Sequence, residues 1–291
     1  MLALRNIRPM RAAATLRSRW GALRCFSSES VDNLSCILES RPGVGNSVSI
    51  DNFSYSSNKR SLDVSQPGHV LLKTEYLSVD PYMRCMFDEG HPQLGSYQEP
   101  FKLHQPLHGG GVGRVVSSDN ADFAEDDLVV VPFMGYEWSE YVELDPTRPE
   151  LNAYRVENQL IRGHPSLALG ALGMVGATAY IGLFKAGEPK ESDTVVVSGA
   201  AGAVGSLVGQ LARAKARCKH VVGICGGPEK CEAAKNIGFD VGAFDTFAQL
   251  WNAYSTCARL NLLVDVVVSP ASFLYYVQLW ITKTRISSQT F

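Results

Sequence analysis

Short runs in which hydrophobic and polar residues alternate fill the first half of the chain. Residues 70–79, with the sequence VLLKTEYLSV, form a strand-like segment, and similar segments span residues 111–116, 128–133 and 140–144. Turns rich in Gly, Pro and Asp separate these segments. Short strands between turn signals, with little helical periodicity, predict an all-β module over residues 31–163.

The pattern changes after this module. A helical run begins at Ser166 and reads SLALGALGMVGATAYIGLF. A β-branched strand at residues 194–198, a Gly-rich turn, a helix and a second strand at residues 220–225 follow. Strand, helix, strand is the βαβ unit of a parallel sheet, so the pattern predicts an α/β unit over residues 164–268.

Length and charge narrow the class of protein. A chain of 291 residues exceeds the usual size of one core and predicts two domains. Six arginines precede the first acidic residue, Glu29, and without them the chain carries 21 basic against 29 acidic residues, a formal charge of −8. Such a surface lacks the positive footprint of a nucleic-acid-binding protein and fits an anionic enzyme with a small-molecule substrate. The six are Arg5, Arg8, Arg11, Arg17, Arg19 and Arg24.

The first 30 residues resemble a targeting leader. They are rich in Arg, Ala and Ser, and the sequence around Arg24 indicates processing after Phe26. Import into the mitochondrion is predicted, with a plastid, or a disordered basic arm on a cytoplasmic protein, as the alternatives. No run approaches the roughly 20 apolar residues that cross a bilayer, so no membrane span is predicted.

A glycine-rich turn marks the candidate cofactor site. In TVVVSGAAGAVGSLVGQLARAKA, Gly199, Gly202 and Gly205 directly follow a strand and open a helix. Small residues there let the backbone approach a pyrophosphate, and the helix N-terminus presents free N–H groups. The motif predicts a dinucleotide site; the alternative is a tight packing turn.

The end of the second strand indicates which dinucleotide binds. An NAD site has an acidic residue about 20 positions downstream, but Cys225 occupies that position here. Lys230 follows closely and could pair with a 2'-phosphate. The negative charge of the neighbouring Glu229 would instead disfavour a phosphate there. We therefore predict NADP(H), with an ordinary surface lysine as the alternative role for Lys230.

Metal ligands are poorly supported by the sequence. The seven cysteines form no CxxC pair, and those at 218, 225 and 231 are predicted to be buried thiols. His104 and His108 form the one close histidine pair, beside a Gly-rich turn, and we interpret them as loop residues. No metal site is predicted.

Several separated motifs, in the same order, resemble the zinc-independent prostaglandin reductase and alkenal reductase branch of the medium-chain dehydrogenase/reductase superfamily. The resemblance covers about residues 36–268 and distinguishes this branch from the alcohol dehydrogenases. The motifs are YLSVDPYMRCM (76–86), GGGVGRV (109–115), LGALGMVGATAYIGL (169–183), VVSGAAGAVGS (196–206) and VVGICGGPEKC (221–231).

The resemblance implies an α/β fold in which a GroES-like partial β-barrel joins a Rossmann doubly wound parallel sheet, here incomplete. It also implies NADPH-dependent reduction of the carbon–carbon double bond of α,β-unsaturated ketones or aldehydes, of the 15-keto prostaglandin or alkenal type, by hydride transfer to the β-carbon. A quinone reductase of the same superfamily and a truncated, non-catalytic nucleotide-binding chain are the alternatives. A homodimer is left open.

Motif matching then assigns site residues. The pyrophosphate would lie against Gly202, Ala203, Val204 and Gly205, and the 2'-phosphate would meet Lys230. In the first module, Tyr97 would donate a hydrogen bond to the substrate carbonyl, with Tyr82 and Phe133 as further cleft residues. Each of these three aromatic residues could instead be a packing residue.

The chain departs from the family in three places. Val175 replaces the proline of a GMPG turn, and Phe244 and Asp245 stand where a tyrosine would contact the 2'-phosphate. Residues 269–291 form a tail unrelated to the family, in place of the remaining sheet strands. We expect this tail not to form the sheet strands that relatives have there, to leave an open edge after residue 268, and to lower solubility and activity.

Overall fold

The structure is a computed structural model that describes residues 30–91, 99–161 and 163–240, together with the backbone of three later strands, Val241–Ala243, Leu262–Val267 and Gln278–Thr282. The predicted leader therefore lies outside the described residues, apart from Ser30. Among the described helices, the structure contains none with the length and apolar character that a bilayer span needs.

The chain opens with an antiparallel hairpin of β1 (Ser30–Leu38) and β2 (Phe53–Ser61). A five-stranded antiparallel sheet follows in the order β6, β3, β4, β5, β7. Its strands are β3 (Val70–Leu77), β4 (His108–Ser118), β5 (Leu128–Glu137), β6 (Tyr141–Leu144) and β7 (Tyr154–Val156). The short helices α1 (Met83–Met86) and α2 (Asn158–Ile161) lie between and after these strands. The predicted β-rich character of this region is confirmed, but β1, β2 and β7 were not predicted.

The centre of this sheet is built around one tyrosine. Tyr136 is completely buried, and its ring lies over Gly111 and Gly113 of β4, where any added β-carbon would overlap it. Its hydroxyl is 3.0 Å from Oγ1 of Thr74 on β3. The glycine-rich sequence of β4 therefore has a packing reason, because only glycine leaves room for this ring.

Strand β1 is also tied to a distant part of the chain. The side-chain amide of Asn33 donates to the carbonyl oxygen of Tyr141 at 3.0 Å and accepts from its backbone N–H at 2.8 Å. The backbone N–H of Cys36 donates to the carbonyl oxygen of Trp138 at 2.9 Å. The Asn33–Tyr141 pair joins residues 108 positions apart.

The predicted helical run from Ser166 is divided into three segments. A 3-10 turn over Pro165–Ala168 packs against β3, β4 and β5. Helix α3 (Met174–Tyr180) follows and continues without a break as a π-helix over Ile181–Gly187. The run contains four glycines, and at Gly173 and Gly176 added β-carbons would overlap backbone of the preceding turn.

The second sheet has the order β10, β9, β8, β11, β12. Strands β8 (Thr194–Val197), β9 (His220–Ile224), β10 (Val241–Ala243) and β11 (Leu262–Val267) run parallel to one another. Helix α4 (Ala203–Ala214) connects β8 to β9, and α5 (Pro228–Asn236) connects β9 to β10. The predicted βαβ unit is confirmed. The core between sheet and helices is formed by small and β-branched side chains, including Val195, Val197, Val208, Ala212 and Val221.

One expectation about the tail is wrong. The tail contains a strand, β12 (Gln278–Thr282), which pairs antiparallel with β11 from Leu263–Thr282 to Val267–Gln278. The expected open edge at β11 is therefore occupied. The sequence QLWIT is β-branched and aromatic enough to extend beside an unpaired apolar strand, whatever the origin of the tail.

Candidate functional site

The candidate cofactor site lies where β8 ends and α4 begins. Gly199, in the turn, has a φ of +56°, a conformation that costs a non-glycine residue. The backbone N–H of Ala200 then donates to the carbonyl oxygen of Ile224 at 3.0 Å, which joins this turn to the end of β9. The turn thus brings the carboxyl ends of two neighbouring strands together.

Helix α4 presents a bare N-terminus at this point. Gly202 is the N-cap residue, no side chain caps the helix, and Ala203, Val204 and Gly205 form the first turn. The N–H groups of a first turn have no partner within their own helix, and the helix dipole places partial positive charge there. Gly202 and Ala203 are exposed and Val204 is half-buried. These features suit a bound phosphate.

Gly205 has a different role from its neighbours. It is buried, and a β-carbon there would overlap the carbonyl oxygen of Gly199, so its lack of a side chain lets α4 pack against β8. At Gly202 a β-carbon would stand 3.1 Å from the same oxygen, which is tight but not prohibitive. Of the four residues predicted to contact the pyrophosphate, Gly202 and Ala203 are therefore exposed, Val204 is half-buried, and Gly205 serves helix packing. Their contact with a pyrophosphate stays a prediction.

The sheet order supports a ligand site at this edge. Strand β8 has β9 and then β10 on one side and β11 on the other, so the chain changes direction across the sheet at β8. In open α/β sheets, ligands bind outside the carboxyl ends of the strands where this reversal occurs. The N-terminus of α4 is at that end of β8.

The β9–α5 turn contains the residues predicted to select the cofactor. Cys225 follows β9 and is buried, Gly227 is the N-cap of α5 with a φ of +86°, and Lys230 is the third residue of the helix. Lys230 is exposed and makes no ion pair with any of the described residues. Glu229, beside it, is also exposed. The position that would hold a ribose-binding acid is therefore occupied by a buried thiol.

Asp240, the first acidic residue after α5, makes its contacts away from the candidate cofactor site. Asp240 accepts from the backbone N–H of Val221 at 2.7 Å and pairs with Arg213, at the amino end of β9 and away from the cofactor edge. Burial alone would raise the pKa of Asp240, but the hydrogen bonds from Arg213 and Val221, together with the charges of Arg213 and His220, lower it. This carboxylate holds β9 to the segment before β10.

The predicted cleft residues Tyr82, at the start of α1, and Phe133, on β5, lie together. Their ring centroids are 4.5 Å apart, and the Tyr82 hydroxyl donates to the carbonyl oxygen of Phe133 at 2.7 Å. Tyr82 is completely buried, and burial, with the charge of Asp80 second, raises its pKa well above the ordinary value. The hydroxyl is thus a neutral donor engaged with the protein. Phe133 is half-buried, and Tyr97 lies outside the described residues.

Three buried polar atoms in the same module have no role among the sequence predictions, which interpreted His108, now the first residue of β4, as a loop residue. Asp80 Oδ2, His108 Nδ1 and Trp138 Nε1 are buried, with no hydrogen-bond partner among the described residues. Burial raises the pKa of Asp80, against a smaller lowering by a hydrogen bond from Ser78, and burial lowers the pKa of His108. The position of Asp80 inside the SVDPYMR motif was the available signal.

The histidine pair is separated in the structure. His104 is exposed, with its Nδ1 3.0 Å from Oε2 of Glu39, whereas the His108 ring packs edge-on against Phe101 with centroids 5.1 Å apart. Within the described ranges, no group of three or more His, Cys, Asp or Glu side chains could hold a metal ion.

Comparison with known proteins shows which oxidoreductases the chain resembles. Residues 36–150 match the N-terminal domain of oxidoreductase. The NADPH-dependent curcumin reductase of Escherichia coli K12 is 43% identical over 185 residues, which is 62% of this chain and 48% of the relative. Prostaglandin reductase 1 of Bos taurus is 40% identical over 60% of this chain and 47% of the relative. A tobacco (Nicotiana tabacum) NADP-dependent 2-alkenal reductase is 40% identical over 59% and 46%. The chain spans about half the length of these relatives.

Solved structures agree on the fold. CurA of Vibrio vulnificus, crystallised with NADPH, superposes with a TM-score of 0.65 at 35% identity, covering 79% of this chain and 64% of that one. A Pseudomonas syringae quinone oxidoreductase, at 20% identity and a TM-score of 0.52, shares the fold alone. The predicted fold class, a GroES-like partial barrel with an incomplete Rossmann sheet, is confirmed. The matched part of the chain is thus similar to zinc-independent reductases of the medium-chain dehydrogenase/reductase superfamily, the branch that contains prostaglandin and alkenal reductases.

Proposed function

We propose that the chain is an NADPH-dependent reductase of the carbon–carbon double bond in α,β-unsaturated ketones and aldehydes. The observation that carries this proposal is the pairing of two turns at one sheet edge. One turn opens α4 with uncapped N–H groups. The other has Cys225 where an NAD site would have a carboxylate, and it presents the exposed Lys230 in the first turn of α5. The names of the curcumin, alkenal and prostaglandin reductases support the same substrate class.

The residues present fit a bound NADPH. The first turn of α4 offers backbone donors to a pyrophosphate, and the exposed Gly202 has no side chain that would obstruct that approach. Lys230 is free to pair with the 2'-phosphate, and the thiol of Cys225 brings no negative charge that would repel it. The bound cofactor supplies the hydride that reaches the β-carbon.

The chain's other proposed contributions come from residues 31–163, the predicted first module. Tyr97 would donate a hydrogen bond to the substrate carbonyl and stabilise negative charge that develops on its oxygen. Tyr82 and Phe133 would form the wall behind it. In that wall the Tyr82 hydroxyl holds the Phe133 backbone, so its contribution is to position Phe133 rather than to donate to substrate.

The experiment is a turnover assay on the full 291-residue chain with NADPH. The expected result is oxidation of NADPH with an enone or alkenal, such as 4-hydroxynonenal, a 15-keto prostaglandin or curcumin, and slower oxidation with a quinone. A preference for quinones would favour the alternative quinone reductase. Binding of NADPH without turnover of any of these compounds would leave the non-catalytic alternative.

Mitochondrial import belongs to this proposal too. Six arginines without an acid before Glu29 form a segment that the membrane potential draws inward. Residues 1–35 fused to a fluorescent protein should direct it to mitochondria, and a matched fusion with the six arginines changed to Gln should stay outside. A diffuse signal from the unaltered fusion would refute import, and a plastid signal would redirect it. Self-association stays a prediction that light scattering of the purified chain measures.

A further inference from the structure

Two cysteine thiols lie in contact at the edge of the proposed cofactor site. Cys225 directly follows β9, and Cys231 is the fourth residue of α5. Their sulfur atoms are 3.7 Å apart, and Cys231 Sγ is also 3.7 Å from the carbonyl oxygen of Cys225. Both residues are at least nine-tenths buried. No other pair among the described cysteines is in such contact.

The segment between the two cysteines can adjust. It consists of Gly226, Gly227, Pro228, Glu229 and Lys230. No atom lies within 4 Å of where a β-carbon would stand at Gly226 or Gly227, so the turn has open space around it. A disulfide needs the sulfurs about 2.05 Å apart. A small movement of this unhindered glycine turn would bring them from van der Waals contact to that length.

We propose that Cys225 and Cys231 are an oxidative modification site, at which a hydroperoxide converts the two thiols into a disulfide and thereby weakens NADPH binding. One sulfur attacks the peroxide oxygen, which breaks the O–O bond, releases an alcohol or water and leaves a sulfenic acid. The second thiol displaces hydroxide from that sulfur, forming the S–S bond and releasing water. The two sulfurs together lose two electrons and two protons, which the peroxide takes up.

The environment of the pair controls the rate. Burial, followed by the neighbouring Cys231, raises the pKa of Cys225 to about 11, and Lys230 opposes this shift. The thiolate is the reactive form, so oxidation is slow near neutral pH and accelerates as the pH approaches that value. Because the thiol stays mostly protonated near neutral pH, we expect the disulfide to form during sustained exposure to peroxide and not during brief exposure.

The effect on NADPH rests on the proposed function. Lys230 immediately precedes Cys231, and both lie in the first turn or so of α5. Drawing Cys231 toward Cys225 shifts that turn and moves the Lys230 ammonium away from the 2'-phosphate. We expect roughly tenfold weaker NADPH binding, since a displaced charged hydrogen bond loses part of its contribution. NADH, which has no 2'-phosphate, should bind almost equally to both forms.

The experiment oxidises the reduced full-length chain with hydrogen peroxide at pH 7 and pH 9, followed by peptide mapping by mass spectrometry. The expected result is a linked peptide containing both cysteines, formed faster at pH 9 and reversed by a thiol reductant. Cys225→Ser and Cys231→Ser should each abolish the link, whereas Cys36→Ser should not. Failure to find the link at either pH would overturn the proposal.

Calorimetry on the same samples tests the second part of the proposal, that the disulfide weakens NADPH binding. The oxidised chain should bind NADPH roughly tenfold more weakly than the reduced chain, with affinity restored by reductant. Equal affinities of the linked and reduced forms would overturn the effect on NADPH. A reduced chain that binds no NADPH would refute the proposed function, while the peptide map would still decide whether the disulfide forms.

Discussion

The Cα of Gly205 lies so close to the carbonyl oxygen of Gly199 that a β-carbon added at Gly205 would overlap that oxygen. This approach sets the distance between the first turn of α4 and the end of β8. It also means that the glycine most deeply buried in the motif serves packing, while the exposed Gly202 is the one left facing solvent at the helix N-terminus.

Gly205→Ala should therefore lower both stability and NADPH binding. The overlapping atom is backbone, which cannot rotate aside, so the helix must shift; we expect a loss of about 1–3 kcal/mol in the free energy of unfolding. Urea unfolding measures it. Gly226→Ala is the matched control, because the space around Gly226 is open. Equal stability of the two variants would contradict this account of the turn.

Lys230→Ala should weaken NADPH binding by about 1.5–3 kcal/mol, the scale of a charged hydrogen bond, and leave NADH binding nearly unchanged. Calorimetry with both cofactors measures the difference. Lys235→Ala is the control, since Lys235 lies at the other end of the same helix and pairs with Glu232 at 3.6 Å. Equal losses for NADPH and NADH would show that Lys230 acts on folding or on a shared part of the cofactor.

Tyr82→Phe should destabilise the first sheet by about 1–2 kcal/mol, because it removes a buried donor from the Phe133 carbonyl oxygen. Thermal or urea unfolding measures the loss. Tyr55→Phe, at a hydroxyl on a side chain that is 69% exposed, should be nearly neutral. If turnover falls while stability does not, Tyr82 would act on substrate directly, as the motif comparison predicted.

Asp240→Asn should reduce stability near neutral pH and make no difference in strong acid. The pKa of Asp240 is lowered in the folded state, so the carboxylate contributes stability above its unfolded pKa of about 4, and that contribution is lost as pH falls through the folded value. We expect about 0.5–1 kcal/mol at pH 7, since solvent screens this partly exposed group. Unfolding from pH 7 to 3 measures it, with exposed Asp122→Asn as control. A gap that widens toward pH 3 would contradict the sign.

Truncation tests the role of β12. A chain ending at residue 270 leaves β11 without its antiparallel neighbour, so its apolar LLVDVV edge should promote aggregation. A chain ending at residue 283 retains β12 and should stay as dispersed as the full chain. Light scattering distinguishes the two. Equal dispersion would show that the pairing of β11 with β12 does not protect this edge.

Much of the fold could be predicted from local patterns. The four apolar residues at the start of β5 and the strand–glycine–helix order around Gly202 identify their elements without tertiary information. Strand β2 was missed because it is largely polar and has no buried residue, and β1 because its first half is polar and exposed; both are held extended by pairing with each other. Strand β12 was missed because the prediction for the tail was based on its lack of resemblance to the family. The tail forms a strand because it can pair with β11, which would otherwise have a free edge.

The candidate site could be predicted only in part. The helix N-terminus and the missing carboxylate after β9 follow from residue order, because turn and strand ends are local features. The buried state of Tyr82 does not, since it depends on packing against Phe133, 51 residues away. The contact of Cys225 with Cys231 does not either, since it depends on the backbone path of the turn between β9 and α5. Asp80 is a similar case: the SVDPYMR motif that contains it could be recognised in the sequence, but its burial could not be predicted.

The bond between Asn33 and Tyr141 also has a consequence for how the protein is made. Ribosomes synthesise the chain from the N-terminus to the C-terminus, so β1 has been made long before residue 141. Bringing together residues 108 positions apart costs loop entropy and slows folding. Until then β1 pairs with β2 and, once residues 104–107 have been synthesised, can bond to that segment, as in the 2.9 Å bond from the Leu107 N–H to the Cys36 carbonyl oxygen. The end of β1 around Asn33 still lacks its partner at Tyr141. The nascent first half of the chain should therefore depend on chaperones until this late bond closes.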